Sequence, residues 1–311
     1  MSIRQTRSSD IVIQTLARIR ASQTHMPGLK RTLTVLALFV PLLAVADPQR
    51  SGDDFRIVPM EFESHGTTLF GSLVLPHGGR IHAAVVFIHG SGKQSRNLEW
   101  ARRFASAGIA ALVYDKRGAG KSGGEYEGNQ SVSEKNILLL ASDAATALDA
   151  LAHQPALGGV PLGFAGISQA GWIAPLAARR SAHTRFLVLW SAPVCKVSEE
   201  DIFSKYTRDA FAHKVPSYRE ALDARTGKYV WPDFLGRDTD SAEDLDPLAI
   251  PGLWIFSDND GSIPVDLSIE RLQALKRKGR AFEFVVAPGL GHNNMDGTFS
   301  IATEWIRKTV R

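Results

Sequence analysis

Val160-Pro161-Leu162-Gly163-Phe164-Ala165 runs directly into Gly166-Ile167-Ser168-Gln169-Ala170-Gly171, and that into a helical pattern from Trp172 to Arg179. A short apolar run, a turn of small residues and a helix make a strand–turn–helix unit with a serine at its apex. Such a turn is too sharp for bulky neighbours, so small residues flank the serine and push its hydroxyl out beyond the sheet edge, the arrangement of a nucleophile elbow. A bare Gly-x-Ser is weak evidence, because Gly and Ser form ordinary turns. The strand before and the helix after give it weight. Ala170 holds the fifth position, where Gly is usual, and Gly171 follows.

Apolar runs alternate with helical patterns on both sides of this unit. Two strand-like stretches, Phe55 to Glu63 and Leu69 to Leu75, separated by Ser64-His65-Gly66, read as an antiparallel hairpin at a sheet edge. Strand-like runs follow at residues 83–88, 109–114, 162–165, 186–190, 253–256 and 282–286. Strands this continuously apolar belong to a parallel sheet covered on both faces. Helical patterns occupy residues 98–107, 134–152, 169–180, 265–278 and 299–308. The expected fold is therefore α/β, a mostly parallel central sheet with helices on both faces. Residues 193–249 interrupt the rhythm. They hold helical patterns at 197–215 and 217–225 and a loop at 231–236, and read as a helical cap inserted over the pocket, because so long a structureless loop is improbable.

Two further segments complete a chemical constellation. His292, in Gly289-Leu290-Gly291-His292, lies past the last strand and before the last helix, the one of nine histidines so placed. Imidazole titrates near working pH and can take and return a proton. Asp260, with Asp258 as the alternative, follows the strand at 253–256 and is the expected acceptor of an imidazole N–H, fixing its tautomer. Ser, Asp, His is the chain order that the elbow motif requires. His89-Gly90-Ser91-Gly92 follows the strand ending at Ile88 and is the expected oxyanion loop. Ser91 N–H, with Gly92 as the alternative, and Gln169 N–H are the expected donors, and His89 is read as orienting the loop.

Asp115 to Gly124 is Gly-rich but lacks the first glycine of a phosphate-binding loop, and reads as an ordered turn pinned by Asp115 and Arg117. Lys93, Arg96 and Arg117 could set positive charge near the mouth, though such charges are usually solvated. His, Cys and acids do not fall at metal-ligand spacings. The single cysteine, Cys195, admits no internal disulfide and reads as a small buried hydrophobe.

The N-terminus is a separate matter. Lys30-Arg31, an apolar stretch to Leu43 and Ala44-Val45-Ala46 form the basic, hydrophobic and small-x-small parts of a secretory signal, with Met26 as the expected start and Asp47 as the first mature residue. The stretch is short for a membrane span, which needs about 20 apolar residues. The chain carries a formal charge of +4, but residues 1–46 hold six of its 36 Lys and Arg and one of its 32 acids. The remaining 30 bases and 31 acids are balanced, which argues against nucleic acid as a partner. A periplasmic or secreted location and no stable membrane span are expected once the signal is removed.

Together, residues 89–92, 114–122, 166–175, 260–264 and 291–292 resemble the bacterial α/β-hydrolase superfamily, most of all esterases near its serine aminopeptidase S33 and dienelactone-hydrolase-like branches. The resemblance spans residues 55–311. It implies an α/β-hydrolase fold and an acyl hydrolase without a cofactor, with Ser168, Asp260 and His292 as triad and Ser91 and Gln169 at the oxyanion hole. A small-molecule carboxylic ester is the expected substrate. An aminopeptidase gripping a substrate amine with Glu199, Glu200 or Asp201 is one rival, and a non-catalytic binding protein of the same fold is another.

Overall fold

The computed structural model describes residues 55–128 and 131–310. The chain divides into two units, Met1–Arg50 and Ser51–Arg311, and the described residues belong to the second. The signal segment, Met26 and the cleavage site lie outside the described residues.

The described residues open with a hairpin of β1 (Phe55–Ser64) and β2 (Thr67–Pro76). Its two-residue turn is His65-Gly66, both at positive φ (49° and 67°). That geometry matches the right-handed twist of paired strands and fixes the register Ser64 to Thr67. Six further strands follow: β3 (Ala83–Ile88), β4 (Ile109–Tyr114), β5 (Leu162–Ile167), β6 (Thr184–Trp190), β7 (Gly252–Ser257) and β8 (Phe282–Ala287). The sheet order is β1-β2-β4-β3-β5-β6-β7-β8. β1 and β2 run antiparallel, β2 meets β4 antiparallel, and β4 through β8 are parallel.

Alternate side chains of each inner strand enter opposite cores, as a period of two demands. On β3, Ala84, Val86 and Ile88 face one core, and Ala83, Val85 and Phe87 face the other. The first core is closed by α2 (Glu134–Ala152), α3 (Ala170–Arg180) and α7 (Val265–Arg277). The second is closed by α1 (Leu98–Ser106) and α8 (Met295–Thr309), where Phe104, Trp190 and Phe299 pack ring on ring. Each such ring removed from water contributes roughly 2–3 kcal/mol.

The chain leaves β3 to one side for β4 and returns on its other side as β5. The carboxyl ends of β3 and β5, at the registered pair Ile88 and Gly166, thus flank the crevice where open α/β sheets hold ligands. Between β6 and β7 lies the insertion, with α4 (Val197–Thr207), α5 (Tyr218–Asp223) and α6 (Ser241–Leu245). The helical pattern over 197–215 stops early, at Thr207, because Arg208 turns left-handed (φ 59°) and closes the helix. In the other direction α8 begins at Met295, a turn before the expected Phe299. None of the described helices is long and apolar enough to cross a membrane.

Candidate active site

Ser168 sits between β5 and α3 with φ 57°, a left-handed conformation that costs a residue bearing Cβ about 1–2 kcal/mol. Its backbone is clamped: the amide donates to Trp190 O (3.0 Å), and its carbonyl accepts from Gly171 N–H (2.8 Å). Gly166 must be glycine, since a Cβ there would lie 2.6 Å from Ala170 Cβ and 2.9 Å from Ile88 O. Ala170 is therefore tolerated at the fifth position because Gly166 leaves it room. Gly171 has its own reason, as a Cβ would meet the backbone of Pro193 at 2.5 Å.

Ser168 Oγ lies 3.0 Å from His292 Nε2, and His292 Nδ1 lies 3.0 Å from both carboxylate oxygens of Asp260. A carboxylate only accepts, so Nδ1 carries the hydrogen and Nε2 offers its lone pair to the serine hydroxyl. Asp260 is fully buried and also accepts from Ser262 N–H (2.9 Å) and Ile263 N–H (3.4 Å). Asp258, the alternative acid, is exposed and accepts instead from Gly289 N–H (2.7 Å). The pairing thus falls to Asp260, and Asp258 braces the loop after β8. The arrangement can draw a proton from Ser168 and return it to a leaving group.

The loop after β3 lies across from the elbow, with Gly90 packed toward Ser168 Cβ. Gly92 N–H donates to Tyr126 Oη (2.9 Å). That occupies the alternative oxyanion donor and leaves Ser91 N–H, which, like Gln169 N–H, has no acceptor among the described residues. His89 Nε2–H donates to Tyr114 O (2.9 Å), an orienting role. Burial lowers the His89 pKa to about 4, outweighing the Tyr114 carbonyl, which acts in the opposite direction. As the folded value is depressed, an unfolded chain binds the proton first when the pH falls. The stability is intact above pH 6.5 and is lost between 6.5 and about 4, in all about 3 kcal/mol at 1.36 kcal/mol per unit. Denaturant titrations at pH 7 and pH 4 should show this extra acid loss in the wild type and its absence in His89→Gln. Equal losses in the two proteins would refute it.

Of the three basic residues considered for the mouth, Arg96 and Arg117 are engaged elsewhere. Arg96 pairs with buried Asp115 (3.1 Å) and bonds Gly71 O. Arg117 forms a buried two-pronged pair with Asp143 of α2 (2.8 and 2.5 Å). Lys93 is exposed and does not line the cavity. The role of Asp115 and Arg117 as pins holds, since Asp115 also accepts from Lys121 N–H, and Ser122 ties its carbonyl to β2. The residue between them, Lys116, bears no mark of a role in the sequence. It is buried, and its Nζ donates to the carbonyls of Gly90 and Gly92 and to Gln169 Oε1. Its partners lie 24 to 53 positions away, so no local signal announces it.

A cavity of about 520 Å³ opens on Ser168 and His292, within the usual range for small-molecule sites. Phe87, Trp100, Ile167 and Met295 form its apolar wall. Among the described residues its lining comes from the loop after β3, from α1, the elbow and the start of α8. The insertion flanks the site instead. Thr207 Oγ1 bonds Gly261 O, Ala210 O passes 2.0 Å from where a Gly261 Cβ would stand, and the Phe211 ring 2.7 Å from where one on Gly291 would. Glycines beside Asp260 and His292 thus let the insertion press on both loops. Cys195 is buried and its thiol pushed up by burial, in keeping with an inert hydrophobe. No cluster of metal-ligating side chains occurs among the described residues.

This fold and site define an α/β hydrolase. Residues 79–248 match the family described as serine aminopeptidase, S33, and the chain belongs to that family. The match contains Ser91, Ser168 and Gln169, and ends before Asp260 and His292. No curated protein matches the chain. Among solved structures it is similar to an acylaminoacyl peptidase of Pyrococcus horikoshii, with 19% identity and a TM-score of 0.58 over 82% of this chain, although the match spans only 40% of that larger protein. It is also similar to a dienelactone hydrolase of Anabaena variabilis (20% identity, TM-score 0.56, 83% of this chain and 100% of that one). Acetyl xylan esterase 1 of a Thermoanaerobacterium species gives 16% identity and a TM-score of 0.58 over 84% of this chain and 90% of its own. At these identities the likeness speaks to the fold.

Proposed function

We propose that this protein is a serine hydrolase of neutral carboxylic esters with a small or medium acyl group. The observation that carries the reading is the unbroken hydrogen-bonded line from Ser168 Oγ through His292 to buried Asp260. Ser168 Oγ attacks the ester carbonyl as His292 Nε2 takes its proton. The resulting oxyanion is held by the N–H groups of Ser91 and Gln169, the latter at the first turn of α3, where the helix dipole favours negative charge. The tetrahedral intermediate collapses, the alcohol leaves with the proton from His292, and an acyl-enzyme remains. Water, deprotonated by His292, then releases the carboxylic acid and regenerates the serine.

The wall of Phe87, Trp100, Ile167 and Met295 suits an apolar acyl group. Among the described residues Asp296 is the one carboxylate on that wall, paired with Arg103, and no Lys or Arg lines the cavity to receive a substrate carboxylate. The acids considered for an aminopeptidase are poorly disposed for one. Glu199 pairs with Arg271 (2.7 Å), and Asp201 with Lys205 and Tyr229 (2.7 Å each). Burial, with Asp201, Asp209 and Asp260 nearby, pushes Glu200 up to about 8, so it is largely uncharged at neutral pH. Export directed by residues 30–46 belongs to the same proposal.

A fluorophosphonate probe and a paired substrate screen test it. The wild type should be labelled and Ser168→Ala should not, and p-nitrophenyl acyl esters should be hydrolysed in preference to aminoacyl p-nitroanilides. Folded wild type that resists labelling would return the binding-protein reading, and faster amide cleavage would return the peptidase.

A further inference from the structure

We infer that Lys116 is the positioning residue of the oxyanion hole, holding the Ser91 and Gln169 donors from beneath through one ammonium group. The inference rests on the catalytic reading above. Its geometric core is the peptide between Gly90 and Ser91. In a planar trans peptide the C=O and N–H point in opposite directions. Lys116 Nζ donates to Gly90 O, so the carbonyl is drawn down into the protein and the Ser91 N–H is turned up and away from it. The same Nζ donates to Gly92 O (3.2 Å), which fixes the far side of the loop.

The second donor is tied to the same atom. Lys116 Nζ donates to Gln169 Oε1 (3.0 Å), and Gln169 Nε2–H donates to Ser131 O (2.6 Å). A buried side chain, engaged at both its acceptor and its donor, anchors the residue whose backbone N–H opens α3. Three acceptors surround an ammonium with three hydrogens, a match that neither a neutral amine nor a shorter side chain provides. A charge-assisted bond to Gly90 O also polarises that peptide and makes the Ser91 N–H a stronger donor. The Tyr126 ring lies 5.1 Å beneath Nζ while its hydroxyl holds Gly92 N–H, so the loop is gripped from two sides. Burial away from water brings the Lys116 pKa down to about 7, against the pull of the three oxygen acceptors, which favour the charged form.

A buried lysine that served packing alone would affect the amount of folded protein; one that aims an oxyanion donor affects the transition state. Lys116→Met, which keeps the stem and removes the ammonium, is compared with wild type for kcat on a p-nitrophenyl ester, normalised to sites titrated with a fluorophosphonate. We expect kcat per titrated site to fall about 100-fold, the effect of one lost oxyanion donor, with KM within about threefold. Affinity for an alkylboronic acid, which mimics the tetrahedral state, should fall in step with kcat. Lys116→Gln, which keeps an N–H donor, should recover part of the loss, and serves alone should Lys116→Met fail to fold. Unchanged kcat per titrated site in a folded variant overturns the inference, as does a loss confined to the fraction of sites that titrate. A wild type that is not labelled at all refutes the underlying reading instead.

Discussion

Ser168→Ala is expected to lower kcat by about 10⁶-fold, and Ser168→Gly to be equally inactive yet more stable than the alanine variant by about 1 kcal/mol. The first figure is the loss found when the nucleophile of a serine–histidine pair is removed, residual catalysis coming from the oxyanion donors and binding. The second follows from φ 57° at this residue, a region where Cβ crowds the following carbonyl and glycine does not. Both variants lose the same hydrogen bond to His292 and the same hydroxyl, so their difference isolates the backbone. Single-turnover kinetics with active-site titration measures the first effect and denaturant unfolding the second. A Ser168→Ala enzyme within tenfold of wild type would remove Ser168 from the chemistry. A glycine variant less stable than the alanine one would mean that the elbow stores no strain.

Strand positions were legible because every inner strand is buried on both faces. The runs at 83–88 and 109–114 coincide with β3 and β4, and nothing polar interrupts them. Helix ends were less legible where the stop is conformational. Arg208 carries no sequence mark of a left-handed turn, so the pattern over 197–215 runs on past the true end at Thr207. α6 is five residues long, capped by Asp240 accepting from Ala242 N–H (3.0 Å), too short to leave a periodicity. Its place is set by Leu245 in the core and by Asp244, paired with Arg179 of α3, contacts made across some 65 positions.

In the site, the elements closest to their strands were readable, and those that depend on distant partners were not. Ser168 and His292 are marked by position relative to β5 and β8. The charges of Arg96 and Arg117 could not be assigned from the sequence, because Asp115 and Asp143 claim them only once β4, α1 and α2 are packed. Gly261 and Gly291 serve close approach by Ala210 and Phe211, contacts across some 50 and 80 positions that no local pattern announces. The choice between Asp258 and Asp260 turned on two residues of loop, a distance over which a carboxylate swings from solvent to full burial.

That choice supplies the second large effect. Asp260→Asn is expected to lower kcat about 10⁴-fold with little change in KM, and Asp258→Asn to leave kcat within about threefold of wild type. The neighbours of Asp260 dictate how an asparagine would lie. Ser262 N–H and Ile263 N–H both point at Oδ1, so the amide oxygen must take that place to accept from them. That oxygen also lies 3.0 Å from His292 Nδ1, but its two lone pairs are taken by the backbone N–H groups, so the ring is left facing the amide nitrogen at the Oδ2 position, likewise 3.0 Å away, which can only donate. An imidazole receiving a hydrogen bond at Nδ1 carries its proton on Nε2, and that proton faces Ser168 Oγ. The general base is thereby occupied in the ground state, although every heavy atom keeps its place. Raising the pH cannot restore it, since the fault is a tautomer and not a missing ionisation. Asp258→Asn loses only a charge from an exposed bond to Gly289 N–H, which the asparagine oxygen can still accept. A tenfold or smaller loss in Asp260→Asn, or a loss in Asp258→Asn as large as in Asp260→Asn, would show that the buried carboxylate does not set the histidine's tautomer.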